Sequence, residues 1–345
     1  MRRRVQVVPP LVLAILALVL EISGCASSSS SSTHSGAPTR VKSTTSIEVM
    51  LDWVPNPDHL ALYTSLAKGY FKSEGLDVKL QPPSDVTDVA KLVATGNAPL
   101  GISYEPDTII AGAAGLPITA VGALVPVALN SIIAPAKSGI TTPAGLKGKS
   151  VGVSGLPSDD AFLKAISLKA GIPESSIHKV DVGASLLPSV VSRKVDAILG
   201  GYRNVEAIEV RDFHLKPRVI PITAAGVPKY DELVIIANSN RLKTDPGYRQ
   251  IVREFLAALV KGNAVAVANP SDGLTSMQAV VKGYPADQVK QMVAATAPLL
   301  SNPLGFGRMD LASWQSFANW MHANGLIDKA VNVSSVMTDK YLPAG

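Results

Sequence analysis

Short apolar or alternating runs, each bounded by turn residues, recur along the chain at 47–52, 76–81, 99–103, 118–124, 131–135, 150–154, 179–182, 197–200, 219–222 and 233–238. Runs of this length and period predict strands. Between them the apolar positions change to helical spacing at 58–73, 85–95, 106–114, 159–170, 186–193 and 204–213. Strands alternating with helices predict an α/β fold with mainly parallel sheets. From Leu242 onward the pattern is helical almost throughout, over 248–269, 271–282, 285–299 and 310–324. The chain is therefore asymmetric. Two lobes accommodate this: 47–136 and the mostly helical 229–345 form the first, and 137–228 the second. Crossovers near 135–140 and 223–231 would be the hinges, since both carry the glycine and proline of connectors.

The amino-terminal pattern differs from all of this. Arg2, Arg3 and Arg4 precede an apolar run over 5–20, and small residues then lead to Cys25, the only cysteine. The run is shorter than the roughly 20 residues that span a bilayer, so 1–24 reads as a secretion signal. Ile22-Ser23-Gly24-Cys25 resembles a bacterial lipobox, which would make Cys25 the lipid-bearing mature terminus; an ordinary signal with an incidental cysteine is the alternative. Residues 25–46 are rich in serine and threonine without apolar periodicity, a composition that reads as a flexible tether. The expected location is extracytoplasmic, anchored to the membrane through Cys25. Removing 1–24 takes three arginines and one glutamate from a formal charge of +5, leaving 29 − 26 = +3. That mild balance, with no block of like charge, argues against nucleic acid as a partner.

Several phrases resemble the type II periplasmic-binding proteins, the superfamily that includes thiamine-pyrimidine-precursor, sulfonate and nitrate binders. Leu51-Asp52-Trp53-Val54-Pro55-Asn56-Pro57-Asp58-His59 is similar to the opening strand and loop of the pyrimidine branch, and Gly69-Tyr70-Phe71-Lys72-Ser73-Glu74-Gly75-Leu76-Asp77-Val78 to the superfamily's "GYFKEEGLDV". Residues 96–103, 115–120 and 146–153 resemble its "SGKADFGI", "GLPVTAVA" and "LKGKKVGV". The resemblance runs from Ile47 to about Ala268. It implies a two-lobed fold, each lobe a mainly parallel sheet flanked by helices, with the helical carboxyl-terminal tail on the first lobe. It also implies a solute-binding subunit of an ABC importer that closes by hinge motion, docks on a membrane permease, works as a monomer and uses no cofactor or metal.

Ligands of such folds lie between lobes, at the carboxyl ends of strands and the starts of helices. On this rule the first strand offers Trp53, Asn56 and His59, where Trp53 suits either ring stacking or core packing and His59 either a ligand or a helix cap. The third strand offers Ser103, Tyr104 and Glu105, the last also a first-turn acid. The turn at 154–158 offers Ser154 and Gly155, with Asp159 and Asp160 read as caps. Gly200-Gly201-Tyr202-Arg203-Asn204-Val205-Glu206 resembles the "GxYWNxE" of the pyrimidine-precursor binders. The resemblance assigns Tyr202 to stacking, Asn204 to a hydrogen bond and Glu206 to accepting from an aminopyrimidine. Arg203 replaces the tryptophan there and leaves riboflavin or an alkylsulfonate- or nitrate-type anion as alternative ligands.

Three enzyme readings meet obstacles in the sequence. Gly148-Lys149 stands just before a strand and has Pro143 where a phosphate loop needs its first glycine. Residues 152–156 lack the second glycine of a nucleophile elbow. The eukaryotic pyrimidine synthases resemble the chain around 98–110, but their cofactor-bearing lysine would align with Ser103 and their donor histidine with about Asp107. The five histidines show no metal-ligand spacing. The expectation is a binding protein and not an enzyme.

Overall fold

The computed structural model describes residues 44–344. The signal segment 1–24, Cys25 and nearly all of the tether lie outside them. The tether was expected to reach 46, but Thr45 already pairs with Leu76 in the first strand.

Among the described residues, ten strands form two five-stranded sheets. The first holds β1 (Thr45–Met50), β2 (Leu76–Gln81), β3 (Leu100–Ser103), β4 (Ile118–Val125) and β10 (Leu233–Asn238), in the order β2-β1-β3-β10-β4. The second holds β5 (Asn130–Pro135), β6 (Ser150–Val153), β7 (His178–Asp181), β8 (Ala197–Tyr202) and β9 (Pro217–Pro221), in the order β7-β6-β8-β5-β9. In each sheet one strand runs against the rest: β10 is antiparallel to β3 and β4, and β5 to β8 and β9. The mainly parallel α/β architecture predicted from periodicity is what forms.

Chemistry along each strand accounts for its place. Every residue of β4, β5 and β10 is buried, as expected where helices cover both faces. The edge strand β7 carries exposed His178 and Lys179, and the opposite edge β9 begins and ends in proline, so neither invites another strand. In the first sheet the edge strand β4 is covered by the carboxyl-terminal chain through bridges Ala120–Met337 and Ala123–Gly307.

The first crossover departs from expectation. It lies at 126–129, because β5 pairs with β8 and β9 and so belongs to the second lobe. The proline and glycine near 135–140, Pro135 and Gly139, instead flank a short helical turn, Ala136–Ser138, at the far end of β5. A buried strand followed by a turn reads the same whichever sheet it joins. The return crossover runs from the end of β9 to β10.

The long helix Pro246–Ala268, capped by Asp245 accepting from Tyr248 N–H at 2.9 Å, packs on the helix Leu60–Ala67 of the first lobe. Gly262 permits that approach: a β-carbon there would lie 1.9 Å from Ser65 Oγ and 2.7 Å from the Ala61 carbonyl. The last helix, Leu311–Ala323, braces the return crossover. Trp314 Nε1 donates to Asp231 at 2.8 Å, and the Phe317 ring packs on Tyr230, which itself packs on Phe162 of the second lobe.

Candidate functional site

The carboxyl ends of β1, β3, β6 and β8 converge on a cleft between the sheets. Its volume is about 40 Å³. The first lobe contributes Asp52, Trp53, Asn56 and Tyr104; the second contributes Asn130, Ser154, Asp159, Tyr202 and Glu206; the return crossover contributes Tyr230 and Glu232.

Asp52 is held from behind. Asn56 N–H donates to His59 Nδ1 at 3.3 Å, so the neutral ring carries its proton on Nε2 and donates to Asp52 Oδ1 at 2.7 Å. Tyr104 donates its hydroxyl to Asp52 Oδ2 at 3.0 Å. The Asn56 side chain caps the following turn by accepting from Asp58 N–H at 2.8 Å. A carboxylate with both oxygens engaged by buried donors keeps one orientation.

Across the cleft, Asp159 accepts from Ser154 Oγ and Leu156 N–H, each at 3.0 Å. It is a cap, as its position predicts, and it also lines the cleft. Glu206 accepts from Tyr202 N–H at 2.7 Å, which closes the turn after β8. Glu232, in the return crossover, accepts from the N–H groups of Leu129 in the first crossover and Asn130 at the start of β5, and from Tyr230 hydroxyl at 3.1 Å. One carboxylate thus ties the two connections between the sheets together at the edge of the site.

Burial pushes Asp159 up to about 7 and Glu206 up to about 7, and raises Glu232, against the lowering effect of their hydrogen bonds. For Asp159 and Glu206 the folded value exceeds the unfolded one near 4, so the folded chain binds the extra protons between those limits. Their stabilising contribution is complete below about pH 4 and is lost as pH rises through about 7. Burial also raises Asp107 and Asp231 to about 6 and Glu209 to about 8, so the ligand-free melting midpoint is expected to fall by at least roughly 5 °C between pH 5 and pH 8, with Glu206→Gln removing only part of that slope. Calorimetry across that range checks it; a flat or rising midpoint in the wild-type protein contradicts the assignment.

Of the residues singled out from sequence, Trp53, Asn56, Tyr104, Ser154, Tyr202 and Glu206 line this cleft. The other five sit elsewhere. His59 is fully buried behind Asp52. Glu105 accepts from Asp231 N–H at 2.7 Å in the return crossover. Ser103 lines a neighbouring cavity. Gly155 is pressed against Asp181, where a β-carbon would lie 2.8 Å from a carboxylate oxygen, at a backbone φ of +86° that favours glycine. Asn204 reaches into the first lobe, donating from Nδ2 to Asp58 Oδ1 and to Thr296 Oγ1, both at 2.7 Å. Arg203 donates to the Ala128 carbonyl and is not among the lining residues.

Asp52, Asp159 and Glu232 are the cleft carboxylates that sequence reasoning passed over. Asp52 stood one residue before Trp53 at a strand end, a signal that was available. Glu232 precedes β10 in a crossover, and nothing local marks it.

Contacts across the cleft are numerous. Ser158, at the start of the helix Pro157–Ala170, donates to Asp107 from its N–H at 3.1 Å and its hydroxyl at 2.7 Å. Gln288 Nε2 donates to Asp212 at 2.9 Å, and Met292 packs on Val205 and Ile208. Trp53 packs on the second lobe's apolar cluster, while Tyr202 packs on the first lobe's.

The chain is similar to several known proteins. The formylaminopyrimidine-binding protein of Halalkalibacterium halodurans is 34% identical over 291 residues, covering 83% of this chain and 87% of that protein. The 4-amino-5-hydroxymethyl-2-methylpyrimidine phosphate synthase THI11 of Saccharomyces cerevisiae is 27% identical over 239 residues, 66% of this chain and 69% of that one. The alkanesulfonate-binding protein SsuA from Xanthomonas axonopodis pv. citri, solved with MOPS bound, shares the fold with a TM-score of 0.67 over 86% of this chain and 99% of that chain, at 16% identity. The model of the NMT1/THI5-like family matches residues 56–273, and with it the chain belongs to the NMT1/THI5-like family.

Proposed function

We propose that the chain is the solute-binding protein of an ABC importer and that its solute is an aminopyrimidine related to thiamine precursors. The observation that carries this reading is the composition of the cleft: four carboxylates, three tyrosines and a tryptophan line it, with no lysine, arginine or histidine among the lining residues. A ring bearing amino groups offers N–H donors to those carboxylates and flat faces to Trp53 and Tyr202. Trp53 comes from the first lobe and Tyr202 from the second, as a closing clamp on a ring requires. A sulfonate or nitrate would find carboxylates where it needs N–H donors and positive charge. Arg203, the residue that had kept an anion in view, is spent on a backbone carbonyl.

The mechanism is hinge closure followed by delivery. At about 40 Å³ the cleft is tighter than a substituted ring needs, given that a cavity of about 150 Å³ holds benzene. The ring therefore enters with the lobes parted and is enclosed as they approach. Delivery to a membrane permease, attachment through a lipid on Cys25 and a monomeric state complete the proposal. Catalysis of the synthase kind is disfavoured, because Ser103, at the position of the cofactor-bearing lysine, has no amine to hold the cofactor.

Titration calorimetry on residues 26–345 tests the assignment. Formylaminopyrimidine and 4-amino-5-hydroxymethyl-2-methylpyrimidine are expected to bind, and at a hundredfold excess over Kd to add about 2.7 kcal/mol of stability, seen as a rise of about 5 °C or more in the melting midpoint. MOPS and nitrate are expected to do neither. Stabilisation by the anions alone would reject the pyrimidine, and formation of a pyrimidine product would restore the enzyme.

A further inference from the structure

Beside the cleft lies a second cavity, of about 190 Å³ against about 40 Å³ for the cleft. The two share Asp52, Tyr104 and Leu156. Tyr104, tied to Asp52 by its hydroxyl, is where the two cavities meet. The rest of the second cavity is mostly apolar, with Ala90 from the helix Val89–Ala94, Ile102 from β3, Ile110 and Ala111 from the helix Glu105–Ala113 and Leu116 beyond it, beside the polar Thr87, Lys91 and Ser103. Its own carboxylate, Asp107, is engaged twice by Ser158. Leu156 and Pro157 reach it from the second lobe, so this cavity, like the cleft, is completed only when the lobes meet. Its size is comparable with the apolar cavity of about 150 Å³ that takes up benzene.

We propose that this cavity is a second compartment of the solute site, seating an apolar or aromatic substituent carried by the ring that the cleft binds. The proposal rests on the aminopyrimidine reading of the cleft. The division follows from chemistry: N–H donors belong beside Asp52 and Glu206, and a group without donors belongs against Ala90, Ile110 and Leu116. Filling an apolar cavity restores dispersion contacts that its walls otherwise lack. The site then prefers substituted pyrimidines to the bare ring.

Two probes decide it: 4-amino-5-hydroxymethyl-2-methylpyrimidine and its benzyl ether. Wild-type protein is expected to bind the benzyl ether at least tenfold more tightly. Ala90→Phe and, as a smaller filling, Ala111→Leu are expected to abolish that gain while leaving Kd for the hydroxymethyl compound within about twofold, which also shows that the variants fold. Equal or weaker binding of the benzyl ether by the wild type overturns the compartment. Equal weakening of both compounds by the fillings overturns it too, since the ring itself would then occupy the chamber. If neither compound binds the wild type, the aminopyrimidine reading has failed and the compartment falls with it.

Discussion

Glu206→Gln is expected to weaken aminopyrimidine binding at least a hundredfold, about 2.7 kcal/mol, without destabilising the protein. One oxygen of Glu206 accepts from Tyr202 N–H at 2.7 Å, and the carboxylate lines the cleft. An amide has one acceptor and one donor end. If its oxygen stays on Tyr202, its NH₂ confronts the amino group of the ligand; if it turns round, the NH₂ confronts Tyr202 N–H. Either way two donors meet in a buried space, and a hydrogen-bonding site left unmatched discriminates strongly. Stability should move the other way at alkaline pH, because burial already pushes the Glu206 carboxyl up to about 7 and the amide has no charge to bury. Calorimetry at pH 8 on both proteins reads both effects, and a Kd within threefold of wild type would remove Glu206 from the ligand.

Asn204→Leu is expected to weaken every ligand by the same factor, about 10- to 100-fold, with the melting midpoint of the ligand-free protein nearly unchanged. Asn204 is 2% exposed and Asp58 is fully buried, and their bond crosses from one lobe to the other. Burial raises the Asp58 carboxyl well above the ordinary range, so it depends on its partner. Losing that partner costs about 1–3 kcal/mol in the closed form. Opening returns Asp58 and Thr296 to water and recovers most of it. The cost therefore falls on closure and reduces apparent affinity through the population of closed protein. Titrations with formylaminopyrimidine and the hydroxymethyl compound, alongside solution scattering for the radius of gyration, separate the roles. Losses that differ between the two ligands by more than threefold would mean direct contact and sink the latch.

Much of the site's address was legible along the chain. Trp53, Tyr104, Ser154 and Tyr202 follow strands at their carboxyl ends, and that topological position alone selects cleft residues in an open α/β sheet. What was not legible was direction. His59 and Asn204 have the right chemistry and stand near the right strand ends, yet one holds Asp52 from behind and the other grips the opposite lobe. Glu105 and Ser103 flank Tyr104 and point elsewhere, because neighbouring residues at a strand end or helix start leave the backbone on different faces.

Local periodicity determined which segments became strands and helices, since a period of 2 or 3.6 is set by residues within reach of one another along the chain. The ten strands and the helical tail follow from that, and so does the α/β class. Only tertiary structure decided that β5 joins the second sheet, that Glu232 ties both crossovers to the cleft, and that four carboxylates from distant segments share one basic-free space. Those carboxylates, at 52, 159, 206 and 232, are separated by up to 180 residues, and charge becomes a property of a site only after the chain has brought its bearers together.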